Sequence, residues 1–127
     1  MAKKQDLRPP AAIGHVFFAA TNVGQAAEWF ETVGLRPIAA DDDFAVLELR
    51  GGTHLVVTQA ARRPRPGREA PFDLMVDDID AARRKFAARG LKPSRLRRGT
   101  IHDEFTLVGP DGYRVTILSS HAGRRAV

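Results

Sequence analysis

The sequence has no cysteine. Disulfides, thiolate metal sites and a cysteine nucleophile are therefore excluded together, and the absence fits a reducing, cytoplasmic location. No apolar run approaches the ~18 residues that a membrane span requires, so no membrane partner is expected. The basic start Met1–Pro10 has no apolar stretch of the secretory kind. Residues 1–11 read instead as a flexible N-terminal tail.

Acidic charge is in the minority, 15 Asp and Glu against 20 Lys and Arg, for a net charge of +5. The arginines gather in three places: Arg62, Arg63, Arg65 and Arg68; Arg95, Arg97 and Arg98; Arg124 and Arg125. These are loop and tail positions without a recognition motif, so no nucleic-acid partner is expected. A solvated surface is the plain reading, and a basic rim that attracts an anionic small ligand is the other. What remains is ordinary for one globular domain: 127 residues, 43% hydrophobic and 28% charged.

Local signals divide that domain. Ala12–Ala20 alternates as a strand, with Val16, Phe18 and Ala20 on one side and His15, Phe17 and Ala19 on the other. Asn22 is placed to cap a helix over Val23–Val33, with Gln25 three residues later as in a capping box. Ala26, Ala27, Phe30 and Val33 form its apolar stripe, and Gly34 ends it. Strands follow at Arg36–Ala40, Phe44–Arg50 and His54–Gln59, separated by Asp41-Asp42-Asp43 and Gly51-Gly52. Ala60–Ala70 is a linker rich in proline and arginine. A strand at Pro71–Val76 then leads into a helix capped by Asp77 or Asp78 and ended by Gly90. Ser94–Arg98, Glu104–Val108 and Tyr113–Ser119 read as the last strands, with Pro110-Asp111-Gly112 as a turn.

A shift of 56 residues superposes the two halves. Asn22 meets Asp78, Val23 meets Ile79, Ala26 meets Ala82 and Phe30 meets Phe86. Gly34-Leu35-Arg36-Pro37 meets Gly90-Leu91-Lys92-Pro93. Cap, stripe, terminal glycine and following proline coincide together. The chain thus predicts one domain over 12–121, with module one at 12–59, the linker at 60–70 and module two at 71–121, before a C-terminal tail at 122–127. Each module is a βαβββ unit whose helix covers one sheet face and leaves the other free. Pro71, Asp73 and Met75 occupy the free side of the second module's first strand.

The segments GHVFFAATNVGQAAEWFETVGL, FDLMVDDIDAARRKFAARGL and VGPDGYRVTILS resemble the vicinal oxygen chelate superfamily, which includes glyoxalase, bleomycin-resistance, fosfomycin-resistance and extradiol dioxygenase proteins. The resemblance runs from about Ala12 to Ser120. It implies an α+β fold of two tandem βαβββ modules, forming a cup-shaped mixed sheet with the helices outside. It also implies a homodimer, as in many short members. Family enzymes hold a divalent metal in the cup through His, Glu or Gln, His and Glu on the first and last strands of each module. By position, the resemblance matches these to His15, Val56, Pro71 and Thr116. Only His15 keeps a ligand, so no metal or other cofactor is expected, with a divalent metal as the alternative.

The function expected is therefore binding of a neutral or anionic small molecule. Candidate ligand-binding residues are Phe17, His54, Val56, Met75, Arg114, Thr116 and Leu118, and Phe44 and Phe105 are further candidates for an apolar lining. One alternative is a glyoxalase- or dioxygenase-type enzyme, a lyase or oxidoreductase, whose metal is displaced onto His15, His54, Asp73 or His102. The other is metal-free acid–base catalysis by His15 with Asp73. His102-Asp103-Glu104 and Ser119-Ser120-His121 bring suggestive residue types together in sequence, but catalysis and ligation need spatial geometry. Trp29, one step off the helix stripe, reads as a packing residue.

Overall fold

The computed structural model describes residues 4–120. Residues 4–14 form no regular element, and the first strand begins at His15 rather than Ala12. The order is β1 (His15–Ala20), α1 (Val23–Val33), β2 (Arg36–Ala40), β3 (Phe44–Glu48) and β4 (His54–Gln59). Then come β5 (Leu74–Val76), α2 (Ile79–Ala88), β6 (Glu104–Val108) and β7 (Arg114–Ser119). A short 3-10 turn, Arg50–Gly52, joins β3 to β4, and another, Pro110–Gly112, joins β6 to β7. Among the described residues, no helix is long and apolar enough to cross a membrane.

Both helices start as their caps predict. The Asn22 side chain accepts the Gln25 N–H at 3.0 Å, and Asp78 accepts the Ala81 N–H at 3.0 Å. Gly34, at φ 121°, ends α1 while its N–H bonds back to Phe30 and Glu31.

The first sheet has the order β1-β4-β3-β2 and the second β5-β7-β6. The first and last strands of each module lie parallel and adjacent, and the hairpin strands antiparallel. The strand expected at Ser94–Arg98 does not form. Lys92 takes φ 51°, Pro93 has no N–H to give, and the Ser94 hydroxyl accepts the Thr106 N–H at 2.8 Å. Only Ser94 and Arg97 keep backbone bonds to β6, so the fourth strand shrinks to a bridge between Arg97 and Glu104. β5 is likewise three residues shorter than Pro71–Val76. Upstream of Pro71, the end of the linker takes over the pairing, with Ala70 N–H to Arg114 O and Arg114 N–H to Arg68 O.

Two cores result. Phe18, Ala20, Val23, Ala26, Phe30, Leu47, Leu55 and Val57 fill the space between α1 and the first sheet. Leu74, Ile79, Phe86, Phe105, Leu107, Val115 and Ile117 fill that between α2 and the second. Trp29, Val33, Leu49, Ala70 and Phe72 pack against both. The modules therefore join on their helix sides. At the seam each module's 3-10 turn meets the other's strand–helix junction. Asp111 accepts the Thr21 N–H at 2.8 Å, and Arg50 forms a two-pronged pair with Asp77 at 2.9 and 3.0 Å. Thr21 and Asp77 are themselves one repeat apart. The two sheet faces away from the helices remain open.

Candidate functional site

Strand register builds the open face of the first sheet. His15 lies beside His54, Phe17 beside Val56, and Ala19 beside Thr58. β3 extends these rows with Glu48, Val46 and Phe44 in turn, and Arg36 on β2 pairs with Glu48. Residues paired in register project to one face. The face thus presents a polar row, Arg36, Glu48, His54 and His15, next to an apolar row of Val46, Val56 and Phe17.

The polar row is connected. His54 Nε2 lies 3.4 Å from Glu48 Oε2, and the His54 and His15 rings are 6.0 Å apart. Arg36 pairs with the other Glu48 oxygen. The carboxylate therefore sits between a permanent cation and an imidazole. When His54 Nε2 carries the proton it donates to Glu48, and Nδ1 is left as an acceptor. That pairing orients one ring, while His15 stays exposed beside Phe17, whose ring is 6.4 Å away.

The open face of the second sheet has different chemistry. Met75 lies beside Leu118, Leu118 beside Glu104, Thr116 beside Thr106, and Arg114 beside Val108. Among the described residues, its strands carry no histidine. Arg114 is taken up by Glu69 at 2.7 Å and Glu104 by Arg97 at 2.6 Å. Asp73 is exposed just before β5, and no hydrogen bond or ion pair among the described residues joins it to His15 or Arg114.

The structure thus groups His15, Phe17, His54 and Val56 on one open face and Met75, Arg114, Thr116 and Leu118 on the other, where Leu118 itself is buried. Phe44 stays on the first face at 40% exposure. Phe105 does not line a cup. It is fully buried against Phe86, because its parity on β6 points to α2. In the sequence cluster His102-Asp103-Glu104, Asp103 is held by Arg98 at 2.7 Å. That hydrogen bond, together with the Gly99 N–H, holds its carboxyl below the usual range. Trp29 packs at the seam, edge-on to Phe30. His121 lies outside the described residues.

Sequence reading missed Glu48 and Arg36. The signal was present: Glu48 and His54 lie on either side of the Gly51-Gly52 turn, and hairpin pairing places them opposite one another.

The same register tests the metal set. His54, rather than Val56, stands beside His15. Pro71 falls outside β5 and Thr116 carries only a hydroxyl. Among the described residues no group of three or more His, Cys, Asp or Glu side chains is placed to hold a metal ion. The residues do not fit the usual four-ligand divalent site.

No family model matches the chain, and no curated protein matches its sequence. Solved structures match its fold. A lactoylglutathione lyase from Agrobacterium tumefaciens superposes with TM-score 0.72 at 18% identity, covering 92% of this chain and 99% of that one. A glyoxalase/bleomycin resistance protein/dioxygenase from Alicyclobacillus acidocaldarius gives 0.70 at 20%, covering 95% and 100%. A protein of the same description from Nocardioides gives 0.70 at 17%, covering 94% and 90%. The chain has the glyoxalase/bleomycin resistance/dioxygenase fold.

Proposed function

We propose that this chain is a small-molecule binding protein of the glyoxalase/bleomycin-resistance type, lacking that group's usual metal site, with a neutral or anionic ligand. The donor set carries the reading. Three of the four positions that would bind a metal are Val56, Pro71 and Thr116, and the neighbouring surface is an apolar row with polar handles along one side. Such a wall suits a ligand's apolar body, with His15 and His54 fixing its orientation. A net charge of +5 draws an anionic ligand and repels a cationic one. Phe17 is 60% and Met75 56% exposed, so a ligand on either face needs a cover. In this reading a second copy supplies it, and the binding unit is a homodimer acting without cofactor, nucleic acid or membrane.

Two measurements test the proposal. Metal content of protein purified without chelator is expected far below one ion per chain. A stoichiometric, tightly held divalent ion would overturn the metal-free reading. The anionic aromatic probe 1-anilinonaphthalene-8-sulfonate should bind, and Phe17→Ser should weaken it about tenfold, the effect of losing one buried apolar anchor. Unchanged affinity would remove the first sheet's open face from the site.

The contact between His54 and Glu48 favours one second reading, metal-free acid–base catalysis. His15 would exchange the proton with substrate, and His54, oriented by Glu48, would stand beside it. Turnover that survives His15→Ala unchanged would exclude it.

A further inference from the structure

Away from both open faces, the outer side of α2 borders a groove of about 410 Å³ lined by Asp80, Arg83, Arg84, Arg95 and Leu96. Its arginines differ from a set elsewhere in the chain that is paired with carboxylates. Arg36, Arg50, Arg97, Arg98 and Arg114 each meet a carboxylate, in Glu48, Asp77, Glu104, Asp80 with Asp103, and Glu69. In the groove the one carboxylate, Asp80, is already engaged by Arg98 at 2.9 Å. Arg83 gives its Nε–H to Ser94 O at 2.8 Å and a second N–H to Pro93 O at 3.4 Å. Those carbonyls fix the guanidinium and leave its charge uncompensated. The guanidinium groups of Arg84 and Arg95 make no hydrogen bond or ion pair with any described residue.

We propose that this groove binds a phosphorylated small molecule, with the phosphate group held among Arg83, Arg84 and Arg95. Three cations around one concavity repel one another unless an anion sits between them. The planar donor fork of arginine matches phosphate oxygens two at a time. Arg83 is preorganised by its carbonyl partners, which lowers the ordering cost of binding. Leu96 offers an apolar floor for the rest of the ligand, and the volume suits a small molecule. A nucleic-acid backbone fits less well. Arg97 and Arg98 next to the groove are already neutralised, and Asp80, Asp103 and Glu104 break any continuous basic track. The site stands independently of the open-face ligand.

Inorganic pyrophosphate is the probe, titrated calorimetrically at constant ionic strength. The pair Arg84→Gln with Arg95→Gln should weaken binding at least tenfold. Neither side chain has a partner among the described residues, so circular dichroism should stay unchanged. Arg62→Gln with Arg63→Gln removes the same charge from the linker and should leave the affinity within twofold. Equal losses in both pairs would mean general charge attraction and would overturn the site, as would no loss in the groove variant. A single-stranded RNA that binds more tightly than pyrophosphate and depends on both arginine pairs would overturn it too.

Discussion

The two modules share a skeleton and divide the labour. α1 buries Val23, Ala26 and Phe30 in its own core, and its Trp29 and Val33 reach the second core as well. α2 buries Ile79 and Phe86 and turns Asp80, Arg83 and Arg84 to a groove. The first sheet keeps four strands and a connected polar row. The second loses its outer strand to Lys92, Pro93 and the Ser94 hydroxyl, and its strands carry no histidine among the described residues. Duplication preserved what each unit needs to fold: cap, stripe, helix end and parallel first and last strands. Residues outside that set were free to diverge: His15 and His54 stand together on the first sheet, and Arg83, Arg84 and Arg95 line a groove beside α2.

The largest expected effect tests whether α1 is the seam. The Phe30 ring packs 5.1 Å from Phe18, 5.0 Å from Trp29 and 6.1 Å from Phe72, and the last two also touch the second core. Its repeat partner Phe86 meets Phe105 at 6.1 Å within one core. Phe30→Ala should cost about 4–5 kcal/mol and Phe86→Ala about 3 kcal/mol, within the usual range for buried phenylalanine. Urea unfolding with a shared slope would measure both. Equal losses would break the comparison, and a larger loss at Phe86 would reverse it.

A smaller contrast lies in the two turns that cross the seam. Asp111 accepts the Thr21 N–H from a backbone at φ 57°, a conformation Asp tolerates better than Ala. Asp111→Ala removes the acceptor and strains the turn, at about 1–2 kcal/mol. Asp111→Gly relieves the strain alone and should recover part of that loss. Arg50→Gln breaks the corresponding contact of the other module, an exposed ion pair, and should cost under about 1 kcal/mol. Matching losses in thermal unfolding would show that the two contacts are energetically equivalent.

How much of this was legible beforehand follows the range of the interactions. Asn22, Asp78 and Gly34 act within one helical turn, and their roles were readable from neighbours alone. Strand parity on β1 was equally local, and it correctly separated Phe18 from Phe17. Glu48 was overlooked because its meaning depends on cross-strand register, which a residue-by-residue reading does not carry. The loss of the strand at Ser94–Arg98 depends on a side chain competing with backbone for one N–H, a choice hydrophobic pattern cannot express. Of the arginine groove only Arg95 was singled out, as loop charge, because Arg83 and Arg84 reach the groove from α2 and the pairing of Arg97 and Arg98 with Glu104, Asp80 and Asp103 is a matter of tertiary contact.

The smallest effect concerns acid. The Arg50 guanidinium, first by hydrogen bonding and then by charge, holds the Asp77 carboxyl below its ordinary 3.8. A carboxylate whose folded value is depressed adds stability that is complete above its unfolded value. That stability is lost as pH falls through the lower folded value. Asp77 therefore supports the seam fully above about pH 4 and progressively less below it. Asp77→Asn cannot titrate, so its stability should run slightly below wild type at neutral pH, and the two curves should converge on acidification. Because the pair is exposed, added salt should shrink the gap at neutral pH. A gap that stays constant from neutral to acid would assign Asp77 a packing role instead. It would leave the Asp111 contact as one of the polar ties that carry the seam, beside the Arg89 bond to Thr32 O.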